Sequence, residues 1–165
     1  MTDLEHTAMQ FAELAHAGQQ RKYTGEPYIT HPAEVAELVR SVPHTEAMLA
    51  AAWLHDVVED TSVQLGEIER IFGSVVAGLV ADLTDVSKPS DGNRKTRKAI
   101  DLQHTAKASP AAKTVKLADL ISNTRSITQY DPNFAKVYLA EKAALLEVLK
   151  EGDLILFLRA RSFLR

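Results

Sequence analysis

The chain has 165 residues, a net charge of −3, 45% hydrophobic and 25% charged residues, and no cysteine. That length suits one core rather than two, and the balance is that of a globular chain, not a disordered or fibrous one. The missing cysteine excludes disulfides, thiolate metal sites and cysteine nucleophiles; the slight negative charge gives no global attraction to nucleic acid or anionic membrane, so any anion site must be local.

The amino-terminal stretch MTDLEHTAMQFAELAHAG is amphipathic and carries acids, unlike a signal peptide or membrane anchor. No apolar run approaches the ~20 residues of a membrane span, so the cytoplasm is the expected compartment. Leu4, Ala8, Phe11 and Ala15 recur at helical spacing, Thr2 or Asp3 stands where a cap is wanted, and Gly18 where a left-handed residue ends a helix. The polar stretch QQRKYTGEPYIT reads as a loop, and His31-Pro32 opens a second helix. A third helix is expected to run unbroken from about Thr45 through MLAAAWLHDVVED, its alanines allowing close approach by neighbours. VQLGEIERIFG and SVVAGLVADLTDV each read as a helix, followed by the loop SKPSDGN, expected to be the most mobile internal segment. Further helices are expected at Arg94 to Ala108, Pro110 to Ile127, Pro132 to Leu149 and Asp153 to Phe163. VVAGLV and LILFL are apolar enough for strands but have no alternating partners, so the fold class is all-α. The apolar carboxy-terminal helix either completes the core or offers a self-association surface.

Chemistry concentrates in His55-Asp56-Val57-Val58-Glu59-Asp60, a histidine and three acids in one short stretch. On a continuous helix Asp56, Glu59 and Asp60 share a face, with His55 about 100° round from Asp56. Like charges this close repel unless a cation joins them. A solvated face or a helix end would also account for the six residues, but the run Ala50–Leu54 before them argues for burial. His31 at a helix start and Asp119 within the otherwise apolar KTVKLADLISN are each weak signals; a buried acid there needs a partner, either a metal or one of Lys113 and Lys116.

Together the pieces H…HD…D resemble the metal-binding signature of the HD superfamily. The words AHAGQQRKYTGEPYITHPAEVAELV, AAWLHDVVEDT, FGSVVAGLV and KTVKLADLISNTRSI resemble, in order and wording, the hydrolase domain of RelA/SpoT homologues over nearly the whole chain. With no synthetase or regulatory segment in these residues, the resemblance is to stand-alone small alarmone hydrolases, of the guanosine-3′,5′-bis(diphosphate) 3′-pyrophosphohydrolase type. It implies a helical bundle of roughly eight to ten helices, a single phosphohydrolase domain over residues 1–165, and a small-molecule nucleotide as substrate, with neither nucleic acid nor membrane as partner. It assigns His31, His55, Asp56 and Asp119 to one divalent ion, typically Mn²⁺, a cation that accepts mixed nitrogen and oxygen ligands. Bound water becomes the nucleophile, with Glu59 and Asp60 orienting or deprotonating it. It further implies nucleotide contacts from Arg21, Lys22 and Asn123, from Arg97 within the cluster Arg94, Lys95, Arg97 and Lys98, and from Tyr138 beside the ribose. His6, His16, His44 and His104 gain no role.

The chain departs from the family at Leu120, where many members have a basic residue, and at Ser122, where a bulkier ring stands. The expectation is that the metal site is untouched and that base or phosphate preference is affected, with ppApp a substrate instead of or beside ppGpp. A phosphatase of another nucleotide such as NADPH, and a nucleotide-binding domain without catalysis, are the alternatives. Retention of Glu59 and Asp60 weighs against the second, and a purely structural helical scaffold is the blandest reading.

Overall fold

Short polar side chains fix where the helices begin. Thr2, Thr45, Asn93, Ser109, Asp131 and Asp153 each accept a hydrogen bond from a first-turn amide. The computed structural model describes residues 1–164, and the expected domain end at residue 165 lies outside them. Among the described residues the helices are α1 (Asp3–Ala15), α2 (Thr30–Arg40), α3 (Glu46–Leu54), α4 (Val57–Asp60), α5 (Leu65–Phe72), α6 (Ser74–Leu83), α7 (Arg94–Ala106), α8 (Pro110–Tyr130), α9 (Pro132–Glu147) and α10 (Leu154–Ser162), with a 3₁₀ turn at Pro89–Asp91. The only β pairing among them is an isolated bridge from Gln20 to Pro27, so the all-α class holds. Among the described residues no helix is long and apolar enough to cross a membrane.

Helix α3 forms the centre. Every residue from Met48 to Leu54 is buried, which means apolar surface on all sides of the helix and neighbours on all of them. Helices α1, α2, α6 and α8 pack round it, and α8 also carries α9 and α10. Val115, Leu117, Ala118, Leu120 and Ile121 bury the middle of α8 in the same core. The start of α2, the end of α3 and the middle of α8 therefore meet, and each carries one or two of the residues singled out in the sequence.

The expected unbroken third helix is interrupted at His55–Asp56, leaving α4 as a single short turn. The His55 ring bonds through Nδ1 to the Ala52 carbonyl at 2.7 Å, the acceptor that a continuous ladder directs at the Asp56 amide. The loop expected to be most mobile is held at its start, where Asp101 accepts from the amides of Val86 and Ser87, both at 2.9 Å, and from the Ser87 hydroxyl at 2.7 Å. Helix α8 outlasts its expected end at Ile127 and runs to Tyr130, where Asp131 stops it and caps α9. Helix α10 contributes to the core, burying Leu156, Phe157 and Ala160, while Leu154, Ile155 and Leu158 are exposed.

Gly152, just before α10, lies where a Cβ would sit 2.8 Å from Leu117 Cδ1 and 3.1 Å from the α8 backbone at Lys113 and Thr114. The backbone cannot give way as a side-chain tip can, so Gly152→Ala is expected to destabilise by about 1–3 kcal/mol. Chemical denaturation of the variant measures this, and an unchanged midpoint would show that α10 docks with room to spare.

Candidate metal centre and adjoining cavity

His31 enters as the second residue of α2, His55 and Asp56 from the break after α3, and Asp119 from the middle of α8. One ligand atom from each lies within 4.8 Å of the others. His31 Nε2 is 3.0 Å from Asp119 Oδ1 and 3.6 Å from Asp56 Oδ2; His55 Nε2 is 3.1 Å from Asp56 Oδ2 and 3.3 Å from Asp119 Oδ1. Both histidines are 2% exposed.

The outer edges of the two rings fix what faces inward. Because the Ala52 carbonyl only accepts, His55 Nδ1 carries the hydrogen. Ser122 spends its hydroxyl hydrogen on Glu34 Oε2 at 2.6 Å, so its oxygen accepts from His31 Nδ1 at 3.0 Å. Each ring thus turns Nε2 toward the carboxylates, and His55 Nε2 is a buried nitrogen with no hydrogen-bond partner. Two ring lone pairs facing two carboxylates repel unless a proton or a metal ion joins them. A buried set of two nitrogens and two oxygens fits a divalent transition ion.

Protons take that role when metal is absent. Burial alone would push the His55 ring down, but Asp56 and Asp119 outweigh it and hold the ring well above the usual histidine range. Burial likewise opposes ionisation of Asp56, yet the His55 charge brings it to about 2; against the same penalty, Lys116 and the two rings hold Asp119 well below the carboxylate range. Lys116 Nζ donates to Asp119 Oδ2 at 3.1 Å, and Asn123 Nδ2 donates to Asp119 Oδ1 at 3.0 Å. Tyr28 donates its hydroxyl to Asp56 Oδ2 at 2.5 Å.

Glu59 and Asp60 flank the cluster from α4. Glu59 reaches solvent, but the walls around it desolvate its carboxylate, and despite a hydrogen bond from the Asp85 amide (2.5 Å) its pKa is pushed up to about 7. Asp60 is raised for the same reason, with Asp56 adding like charge. Arg21 is committed to Glu34 at 3.2 Å, and Lys22 lies 5.3 Å from the Tyr23 ring centroid on the exposed loop. Tyr138 is buried, with Lys142 Nζ 4.8 Å from its ring centroid.

A cavity of about 490 Å³ opens beside the centre between α7, α8 and α9, with Arg94, Lys95, Lys98, Lys116 and Lys142 in its lining. Asp85, Asp101 and Glu141 also line it, but Glu141 is neutralised by Arg94 at 2.9 Å. Of the α7 cations, Arg97 is the one outside this lining, because it projects about 100° round the helix from Lys98. Lys142, Tyr28 and Glu34 were not singled out in the sequence; Lys116 was named there only as a possible partner of Asp119, one turn away, and Ser122 only as a departure from the family. Ser122 also corrects the expectation that its departure leaves the metal site untouched, since its hydroxyl touches His31.

A family model described as HD domain matches residues 8–146. Among curated relatives, the guanosine-3′,5′-bis(diphosphate) 3′-pyrophosphohydrolases MESH1 of Homo sapiens and Drosophila melanogaster are 40% and 37% identical, over 76% and 75% of this chain and 70% and 69% of theirs. A probable enzyme of the same description from Synechocystis sp. is 42% identical over 74% of this chain, which spans only 16% of that longer protein. A solved structure described as "A metazoan ortholog of SpoT hydrolyzes ppGpp and plays a role in starvation responses" superposes with a TM-score of 0.88 at 29% identity, covering 99% of this chain and 94% of the other.

Because His55 holds a proton that a metal must displace, Mn²⁺ binding should release protons and weaken as pH falls, by roughly tenfold per unit for one proton. Titrations followed by electron paramagnetic resonance at pH 6, 7 and 8 measure this; a pH-independent affinity would refute it. In the cavity, burial and the neighbouring Lys116 lower Lys142 to about 8. Lys142 is charged below that pH and neutral above it, so affinity for inorganic pyrophosphate should fall as pH rises through about 8. Lys142→Gln should weaken binding roughly tenfold and remove that pH dependence, as isothermal titration would report.

Proposed function

The chain belongs to the HD-domain family, and on that premise we propose that residues 1–165 form a single phosphohydrolase domain that removes the 3′-pyrophosphate of an alarmone nucleotide, ppGpp or ppApp. The observation that carries this reading is the juxtaposition of four converging ligand atoms with a cationic cavity large enough for a polyphosphorylated nucleotide. The relatives named for that reaction, and the likeness to the ppGpp-hydrolysing ortholog, support it.

His31, His55, Asp56 and Asp119 would hold one Mn²⁺. When bound, such an ion supplies Lewis-acid stabilisation of phosphoryl charge and acidifies water. Glu59 accepts the proton of the attacking water and Asp60 orients that water beside it. As the phosphorus–oxygen bond to the ribose 3′-oxygen breaks, pyrophosphate departs and the proton passes to the 3′-oxygen. Lys116, Lys98 and Lys142 offset the negative charge of the substrate from the cavity side. Arg21, Lys22, Asn123, Arg97 and Tyr138 are the proposed nucleotide contacts, Tyr138 beside the ribose; Arg97 and Tyr138 are outside the cavity lining and would need to reach in from its edge. The proposal includes a cytoplasmic setting and a small-molecule partner only, in keeping with a net charge of −3.

The test is a chromatographic assay of ppGpp, ppApp and NADPH at equal concentration with Mn²⁺. Pyrophosphate with GDP or ADP is expected, lost in Asp56→Ala. Glu59→Gln should lower kcat by about 10²–10⁴-fold while Mn²⁺ still binds. Glu59 works only when ionised, so the wild-type rate should rise with pH, with a midpoint below about 7 because a bound cation favours the carboxylate. Phosphate release from NADPH alone would move the substrate to another nucleotide, and a manganese-loaded protein inert toward all three would overturn alarmone hydrolysis.

A further inference from the structure

Behind His31, on the side away from the other ligand atoms, runs a chain of hydrogen bonds joining three parts of the sequence. His31 Nδ1 donates to Ser122 Oγ at 3.0 Å, Ser122 donates to Glu34 Oε2 at 2.6 Å, and Glu34 Oε1 accepts from Arg21 Nη1 at 3.2 Å. Ser122 is 1% exposed and His31 2% exposed, so the bond between them has no ready substitute in water. Glu34 lies one turn after His31 on α2 and Ser122 one turn after Asp119 on α8. The backing therefore spans the same two helices as the ligands it supports.

From this geometry we infer that Glu34 and Ser122 are positioning residues for His31, and that through Glu34 they tie the ring to Arg21. A serine hydroxyl can donate or accept toward an imidazole. Glu34 removes the choice by taking the hydroxyl hydrogen, so Ser122 presents only a lone pair and Nδ1 must carry the hydrogen. His31 Nε2 is then held as an acceptor, aimed between Asp56 and Asp119. Groups of this kind commonly change metal affinity 10–100-fold when removed. Both Glu34 oxygens are occupied, so Arg21 and Ser122 are held by one carboxylate, and a ligand that drew Arg21 away would leave one oxygen of that carboxylate without its partner.

The inference rests on the metal reading proposed above, and its test keeps the two apart. Mn²⁺ affinity of the full chain would be measured by electron paramagnetic resonance for wild type, Ser122→Ala, Glu34→Ala and Glu37→Gln. Ser122→Ala and Glu34→Ala are each expected to weaken binding 10–100-fold with little change in the metal-free melting temperature. Glu37→Gln removes an acid from the exposed side of α2 and should leave affinity within twofold. If wild type bound no Mn²⁺, both the metal reading and the inference would fall. If wild type bound and Ser122→Ala bound equally well, only the inference would fall. Loss in Glu34→Ala alone would mark a simple charge effect, since Ser122→Ala removes no charge, and would also overturn it. Should Ser122→Ala fail to fold, Glu34→Gln supplies the reading, because the Glu34 side chain is 45% exposed. It retains an acceptor for Ser122, so under the inference it binds more tightly than Glu34→Ala, whereas equal losses in the two would leave charge as the cause and refute it. As a spectroscopic check, the His31 ring ¹⁵N shifts of the Zn²⁺-loaded protein should report hydrogen on Nδ1 in wild type, and a mixture of forms there would contradict the assignment.

Discussion

Two histidine nitrogens and two carboxylates face one another with three of the four groups buried, and the surrounding architecture answers to that repulsion. Left alone, such a set opposes folding, because each buried acceptor lacks the donor it had in water. The protein counters it from outside the ring. Lys116 and Asn123 hold Asp119, Tyr28 holds Asp56, and Ser122 and Ala52 hold the far nitrogens of the histidines. These bonds leave the inner atoms few orientations to adopt, the arrangement of a set that could hold a metal ion.

The apolar packing is arranged to serve the same point. Helix α3 is buried on every side and has no polar stripe to orient it, so its register depends on α1, α2, α6 and α8 packing round it. A second buried charge, Glu5 on α1, helps to fix that register. Glu5 is 0% exposed and accepts from Arg40 of α2 and from Trp53 Nε1 of α3 at 3.2 Å, which joins the three helices on the side of α3 away from the ligands. Losing Arg40 would strand a carboxylate in the core, a cost of several kcal/mol by general experience with buried ion pairs.

Much of this was legible in the sequence, for identifiable reasons. Helix positions followed from periodicity and from Pro, Gly and cap residues, which act locally. The cluster at His55–Asp60 stood out as acids beside an apolar run, while His31 and Asp119 were weak signals that became a ligand set through the family resemblance. Three kinds of feature were not legible. The break at His55 depends on a ring bonding to a carbonyl three residues back, which leaves no compositional trace. Glu5 reads as an ordinary acid on an amphipathic helix, because its partners come from Arg40 and Trp53. Glu34 looks like a solvated helix residue and Ser122 like a truncated one, and only their meeting across 88 positions of sequence gives either a task.

The interruption after α3 also sets local folding preference against chemistry. An alanine at position 55 would favour continuation of α3, return the Ala52 carbonyl to the helix ladder, remove a nitrogen with no partner among the described residues and spare the core a polar ring. Judged by helix propensity and polar satisfaction alone, histidine is the worse residue there. A lineage released from the demand for the reaction would drift toward a longer, calmer third helix, and the kink between Leu54 and Val57 would be among the first features to disappear.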